Sequence, residues 1–172
     1  FNSKFWLKFS LINLLIVALI GLLMRYKIGF EFPFLDQKHL QHSHSHFAFV
    51  GWISHTLMVL MIQFVEKKGR WKEENSKNFK KYHHILIANL ICAYGMLIFF
   101  IIQGYGIFSI FFSTASIVVA CVFGYQYCKD LKLVDNEYLS VNWFKAAIGF
   151  NILSSLGTFV LAYMMATKNI HQ

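Results

Sequence analysis

The chain has 172 residues, of which 57% are hydrophobic and 14% charged, and its mean hydropathy is +0.51. A soluble domain of this length needs far more charged surface. The net charge of +8 does not point to nucleic acid either: Lys67, Lys68, Arg70, Lys72, Lys77, Lys80 and Lys81 crowd into one hydrophilic stretch, and the aromatic residues sit in the apolar blocks instead of among them.

Apolar blocks of about 20 residues suit membrane-crossing helices and not barrel strands. The sequence therefore predicts an all-α, polytopic helical membrane bundle of about five transmembrane helices, a single domain over 1–172. The first span is predicted over 5–24. It ends in Met24-Arg25-Tyr26 with no small-x-small cleavage site, which separates it from a signal peptide. Because the chain opens on Phe, the sequence reads as a piece of a longer protein, and the bundle as part of a larger one. Residues 25–38 carry Tyr26, Phe30, Phe32 and Phe34 with Pro33, a composition suited to the membrane interface.

The second span, 42–65, opens on Gln41-His42-Ser43-His44-Ser45-His46-Phe47-Ala48-Phe49-Val50-Gly51-Trp52, with His39 before it and His55 within it. At 100° per residue His42 and His46 share one helical face, and His39 falls on the same stripe. An i, i+4 histidine pair is a standard way to present two imidazoles to one metal ion. His44 points to roughly the opposite side, and His55 lies near that second face, about 16 Å deeper. Gly51, one heptad below His44, is expected to admit a flat ring or a neighbouring helix. Four imidazoles at the rim of an apolar segment are costly to bury unpaired, and neutral imidazole is a common ligand of haem iron, copper and zinc.

The strongly basic stretch 66–81 follows. Spans are predicted over 85–103 and 107–127, joined by the tight turn Gly104-Tyr105-Gly106, and a last one over 141–166 after the hydrophilic stretch 129–140. The excess of Lys and Arg in 66–81 orients that loop to the cytoplasm. Lys4, Lys8 and 129–140 then share its side, and the histidines face outward, on the periplasmic side. His83, His84 and His171 are read as solvated or in contact with lipid phosphate. Cys92, Cys121 and Cys128 have no metal-ligand spacing and read as packing residues. Ala147, Asn151, Ser154, Ser155, Thr158 and Ala162 form a small, weakly polar stripe suited to close helix packing, and Asn13 and Asn89 are expected to make interhelical hydrogen bonds. Tyr94, Met96 and Met58 are cofactor neighbours by type, although packing is the commoner role. No carboxylate falls inside a predicted span, which argues against a transporter with an Asp or Glu proton relay. No nucleophile elbow, P-loop, HExxH or dinucleotide fingerprint occurs, so no catalytic residue is assigned.

The order of an apolar span, Arg25 at its outer end, an aromatic outer loop, and then His44-Ser45-His46-Phe47-Ala48-Phe49-Val50-Gly51-Trp52 resembles the first two helices of the haem-copper oxidase subunit I superfamily. It looks closer still to the divergent bacterial membrane proteins related to that subunit, with their H-x-H-x-x-x-x-G-W signature. The resemblance covers roughly the first 65 residues. It implies a multi-pass protein of the bacterial inner membrane, a haem bound near the outer end of the second helix, and a place in electron transport. His42, His44 and His46 are the positions that correspond to the ligand, with His44 and His46 inside the signature. The family's catalytic copper and high-spin haem use histidines on later helices, and the later spans here carry none, so oxygen reduction is not implied.

The residues leave three functions open. The first is haem or copper binding through His42, His44, His46 and His55, in respiratory electron transfer or related redox chemistry. A second haem ligand would then come from Met96, Met58 or another chain. The second is a non-enzymatic metal-handling protein, with copper or zinc on His39, His42 and His46. The third is a structural or assembly subunit with solvated histidines. The partners expected are the lipid bilayer and other membrane subunits or a homo-oligomer.

Overall fold

The computed structural model describes the backbone of residues 1–69, 78–134 and 138–168, with side chains for 1–69, 79–134 and 138–160. Every regular element among them is helical: α1 (Ser3–Gly29), α2 (Gln37–Phe47), a π-helical segment (Ala48–Ser54), α3 (His55–Lys68), α4 (Asn78–Gln103), α5 (Ile107–Leu131) and α6 (Leu139–Lys168). Two of these, α2 and α3, run through the π segment as one rod, Gln37–Lys68, of 32 residues. With α1, α4 and α5 it makes four rods long and apolar enough to cross a bilayer, and α6 adds a fifth helix of 30 residues. The all-α bundle is as the composition predicts.

Each helix starts or stops on a local signal. The Asn2 side chain accepts the Phe5 N–H at 3.1 Å and opens α1. The Asp36 carboxylate accepts the His39 N–H at 2.9 Å and opens α2. This cap starts the helix at Gln37, five residues before the span predicted from hydropathy begins at 42, and so places His39 inside it. Between α4 and α5, Gly104 adopts φ +59°, the left-handed region that favours glycine, and the Ser109 hydroxyl donates to its carbonyl at 2.6 Å. That turn folds α5 back along α4, the most extensive helix pair of the bundle.

The rod Gln37–Lys68 is the axis of the fold. Its upper part packs on α4, its π segment and α3 pack along α1, and α6 leans on α5. The larger core surrounds α3, with Val59, Ile62 and Val65 from α3, Tyr82 and Leu86 from α4, Phe123, Tyr127 and Leu131 from α5, and Trp6 from α1. A smaller core joins Val17, Phe47 and Ala93 nearer the other end. Outward faces are apolar too: Leu11, Leu15, Leu19 and Leu22 on α1, Ile91, Ile98 and Ile102 on α4, and Phe111, Val118 and Val122 on α5 are all exposed. A girdle of that kind is stable only against hydrocarbon.

Basic charge is concentrated at one end, although Arg25, Lys27 and Lys38 lie at the other. The N-termini of α1, α4 and α6 and the C-termini of α3 and α5 meet at one end, and there lie Lys4, Lys8, Lys67, Lys68, Lys80, Lys81, Lys129 and Lys132. The histidines of α2 lie at the opposite end. Two expectations need correction. The α5 helix continues to Leu131, past the predicted end at 127, and so includes a carboxylate: Asp130 is 2% exposed. The polar stripe of α6 is only partly a packing face among the described side chains: Ala147 and Asn151 line a cavity of about 130 Å³ shared with α3 and α5, and the stripe beyond them does not pack. Asn151, Ser154 and Thr158 are exposed, and the hydroxyls of Ser154, Ser155 and Thr158 donate to carbonyls of their own helix. Ala162 lies outside the described side chains.

Candidate functional site

The α2 helix carries its histidines on two faces, as the 100° rotation per residue requires. Leu40, Ser43 and Phe47 are buried between those faces, and the Ser43 hydroxyl donates to the Leu97 carbonyl of α4 at 2.8 Å. This bond fixes the rotation of α2 against α4. On the first face, the His46 ring stacks on Phe100 with centroids 4.4 Å apart and planes 10° apart. The His42 ring meets Tyr105 edge-on at 4.6 Å. His39, one turn earlier, lies against the Gly104 turn, where a Cβ on residue 104 would come within 2.5 Å of its Nε2. The three histidines thus line one stripe along the α4–α5 corner.

On the second face, His44 packs against α1, and a Cβ on Gly21 would lie 3.3 Å from its Cε1. The glycine lets the imidazole rest on the α1 backbone. His55 is fully buried further along the rod, its ring 5.7 Å from that of Trp6. It too faces α1, so the second face runs from Gly21 to Trp6. His83 touches the other side of Trp6 at 5.0 Å and is exposed, with His84 beside it.

Four imidazole nitrogens in this set are shut off from solvent and have no hydrogen-bond partner: His42 Nε2, His44 Nδ1 and both nitrogens of His55. A buried polar atom left unpaired costs about 1–3 kcal/mol, so each is a point where a ligand would be stabilised. The sets proposed from sequence are nonetheless only partly brought together. His39, His42 and His46 share a face, and His44 and His55 share another, with the helix between them. Among the described residues, no three His, Cys, Asp or Glu side chains gather closely enough to hold one metal ion. The cavities of about 380, 400 and 130 Å³ are lined by other residues. The donor type therefore fits a metal, and one or two imidazoles could hold an ion. A porphyrin plane at His44 would require α1 and α2 to separate. Met58 belongs to the larger core at the basic end, away from His44, and Met96 is buried on α4. Cys92, Cys121 and Cys128 are all free thiols.

Directly below the histidines the rod widens into the π segment Ala48–Ser54. Wide i→i+5 turns inside α-helices are rare and frequent at functional sites. Here the loosened carbonyls are taken by neighbours. Asn13 of α1 donates to the Gly51 carbonyl at 2.5 Å, and Asn89 of α4 donates to the Val50 carbonyl at 3.1 Å. The Asn13 carbonyl oxygen in turn accepts the Tyr94 hydroxyl at 2.7 Å. Both asparagines make the interhelical bonds expected of them. The space at Gly51, expected to admit a flat ring or a neighbouring helix, is filled by Phe47 of its own rod, 2.8 Å from where a Cβ would stand.

Sequence reasoning missed a second polar cluster at the basic end. Asp130 Oδ2 accepts the Tyr82 hydroxyl at 2.7 Å and the Gln126 amide at 2.9 Å, with the unpartnered hydroxyl of Tyr127 also buried. The only signal available was the i, i+4 spacing of Gln126 and Asp130. Comparison with known proteins adds nothing to this geometry: no family model matches the sequence, and no curated protein or solved structure matches it either.

Proposed function

We propose that this multi-pass membrane protein binds a redox-active cofactor through the histidines of α2, copper with the helices as they stand or haem if α1 and α2 part at His44, and serves respiratory electron transfer or chemistry of the haem-copper oxidase kind. The observation that carries this reading is the pair of orphaned nitrogens, His42 Nε2 and His44 Nδ1, in a helix flanked on both sides. Neutral imidazole in a low-dielectric pocket is a competent metal ligand and an uncomfortable spectator. His44 and His46 fall in the H-x-H-x-x-x-x-G-W signature, so the resemblance to the oxidase-like bacterial membrane proteins supports His44, the one histidine common to both pairs. With the basic end on the cytoplasmic side, the cofactor would lie toward the outside of a bacterial inner membrane. The protein would supply axial ligation and a dry surrounding, and the redox chemistry would be the cofactor's.

The test is direct. The protein purified in detergent is examined by absorption spectroscopy and elemental analysis. A Soret band lost in His44→Ala or His46→Ala supports haem. Stoichiometric copper without a Soret band, lost in His42→Ala, supports a copper site. A protein that carries neither, and takes up neither when haem or copper is supplied, refutes the proposal. A second reading, a metal-handling protein, is favoured by the shared stripe of His39, His42 and His46. It predicts copper or zinc uptake that falls in His39→Ala as much as in His46→Ala, with no redox signal.

A further inference from the structure

The basic end of the bundle holds a feature unrelated to the histidine helix. A cavity of about 380 Å³ lies between α1 and α4, helices that run parallel and bridge here through the α3 core instead of packing closely on each other. Its walls are Phe5 and Phe9 on one side and Ile87, Leu90 and Ile91 on the other. Trp6, buried against His55, lies on the α1 side. The lining is almost wholly apolar and opens on the lipid-facing surface, where Ile91 is 59% exposed.

Length and ends identify an occupant. Along α4 the groove runs from His83 to Tyr94, which at 1.5 Å per residue is about 16 Å. One leaflet of a bilayer is about 15 Å of hydrocarbon. The inner end stops at the Asn13–Tyr94 hydrogen bond, near the middle of the spans. The outer end reaches the level of the exposed His83, and Lys80 stands one helical turn beyond on the same stripe. Lys4 and Lys8 are exposed on the neighbouring α1. Side chains on both helices tilt toward their N-termini, so these ammonium groups reach past the groove toward the headgroup level. The described carboxylates at this end are Glu66 and the buried Asp130, and neither lines the groove.

We propose that the α1–α4 groove is a binding site for an anionic phospholipid, one acyl chain lying between Phe5 and Ile91 and the phosphate resting on Lys80, with Lys8 of α1 beside it. An apolar slot one leaflet deep with a basic rim recognises that molecule and no water-soluble one. Basic pockets between helices are the usual way a membrane protein selects anionic headgroups.

Native mass spectrometry of the full chain in detergent tests the site, with phosphatidylglycerol and phosphatidylcholine of the same chains as probes. The wild type retains phosphatidylglycerol several-fold over phosphatidylcholine. Lys80→Ala lowers that preference about five-fold, the effect of one basic residue at an anionic surface. Ile91→Trp and Ile87→Trp fill the slot from its lipid-exposed side and remove retention of both lipids. Ile98→Trp, equally lipid-exposed on α4 but beyond Tyr94, leaves retention unchanged and controls for folding. Equal retention of the two lipids by the wild type overturns the headgroup assignment. Retention unaffected by both slot-filling variants overturns the site. Because the readout is lipid mass, the outcome does not depend on whether α2 carries a cofactor.

Discussion

Replacing Asn13 by Ala tests whether the π segment is held from outside by its neighbours. The Asn13 side chain serves two partners at once, donating to the Gly51 carbonyl at 2.5 Å and accepting the Tyr94 hydroxyl at 2.7 Å, and it is fully buried. Asn13→Ala removes both of these bonds. In water-soluble proteins a buried orphan costs about 1–3 kcal/mol. In membranes a single interhelical hydrogen bond averages about 0.6 kcal/mol and reaches about 1.7, because an unfolded chain in lipid also finds partners. Two bonds at the membrane scale predict a loss of about 1–3 kcal/mol. Tyr94→Phe removes one of them and predicts about 0.6–1.7 kcal/mol. Since that bond is absent from both single variants, the double variant loses less than the sum, and the coupling equals the Tyr94–Asn13 term. Equilibrium unfolding in mixed micelles of a mild detergent and dodecyl sulfate measures all three. An Asn13→Ala protein within about 0.3 kcal/mol of wild type would refute the assignment, and so would strictly additive single variants.

Three further outcomes follow from the same geometry. Gly104→Ala puts a Cβ on a residue at φ +59° and within 2.5 Å of His39 Nε2, so it is expected to cost at least about 1–2 kcal/mol for the backbone alone. Adding His39→Ala should recover the steric part and not the backbone part, read by the same unfolding assay. Tyr82→Phe deletes the 2.7 Å bond to Asp130 in the core of the basic end and is expected to destabilise by about 1–3 kcal/mol, whereas Tyr125→Phe, on the exposed face of α5, changes nothing in the same measurement. The Asp36 carboxyl is held below its ordinary 3.8, chiefly by the His39 backbone N–H that it caps. A lowered pKa means stability that is present above 3.8 and lost as pH falls through the folded-state value. The melting-temperature gap between wild type and Asp36→Ala should therefore be open well above pH 3.8 and narrow as the pH falls below it.

The helices were legible because a bilayer imposes a crude and strong rule: about 20 apolar residues in a row. Their ends were less so, and for a physical reason. The α2 helix begins at Gln37 because Asp36 caps it, and a capped polar turn adds helix without adding hydropathy. The α5 helix runs to Leu131, where Asp130 finds Gln126 one turn back and Tyr82 of α4; the second pairing is long-range and invisible along the chain. The two histidine faces were legible from the rotation per residue, since a polar helix obeys the same geometry as an apolar one. What lay beyond reach was which groups stand opposite. Nothing in Gly21 announces that it makes room for His44, and nothing in Phe100 announces a stack on His46. The α6 stripe shows the converse failure. Its small residues suit packing, yet packing needs a partner, and the described neighbours leave Ser154 and Thr158 uncovered.

The π segment was also beyond sequence reasoning, and it explains the placement of the asparagines. Asn is a poor residue to leave in hydrocarbon, because one amide needs partners for both its oxygen and its nitrogen. A regular α-helix offers it few, since its carbonyls already accept from i+4. A wide i→i+5 turn exposes carbonyls sideways at one level only. Asn13 and Asn89 reach the rod from opposite helices at that level, on consecutive carbonyls, Gly51 and Val50. Each amide is thus stabilised only if the turn is wide, and the wide turn is stabilised only if both amides are present. The result is a pinned ring of three helices one turn below the histidines. It ties α1, which faces His44, and α4, which faces His42 and His46, to the same stretch of the rod.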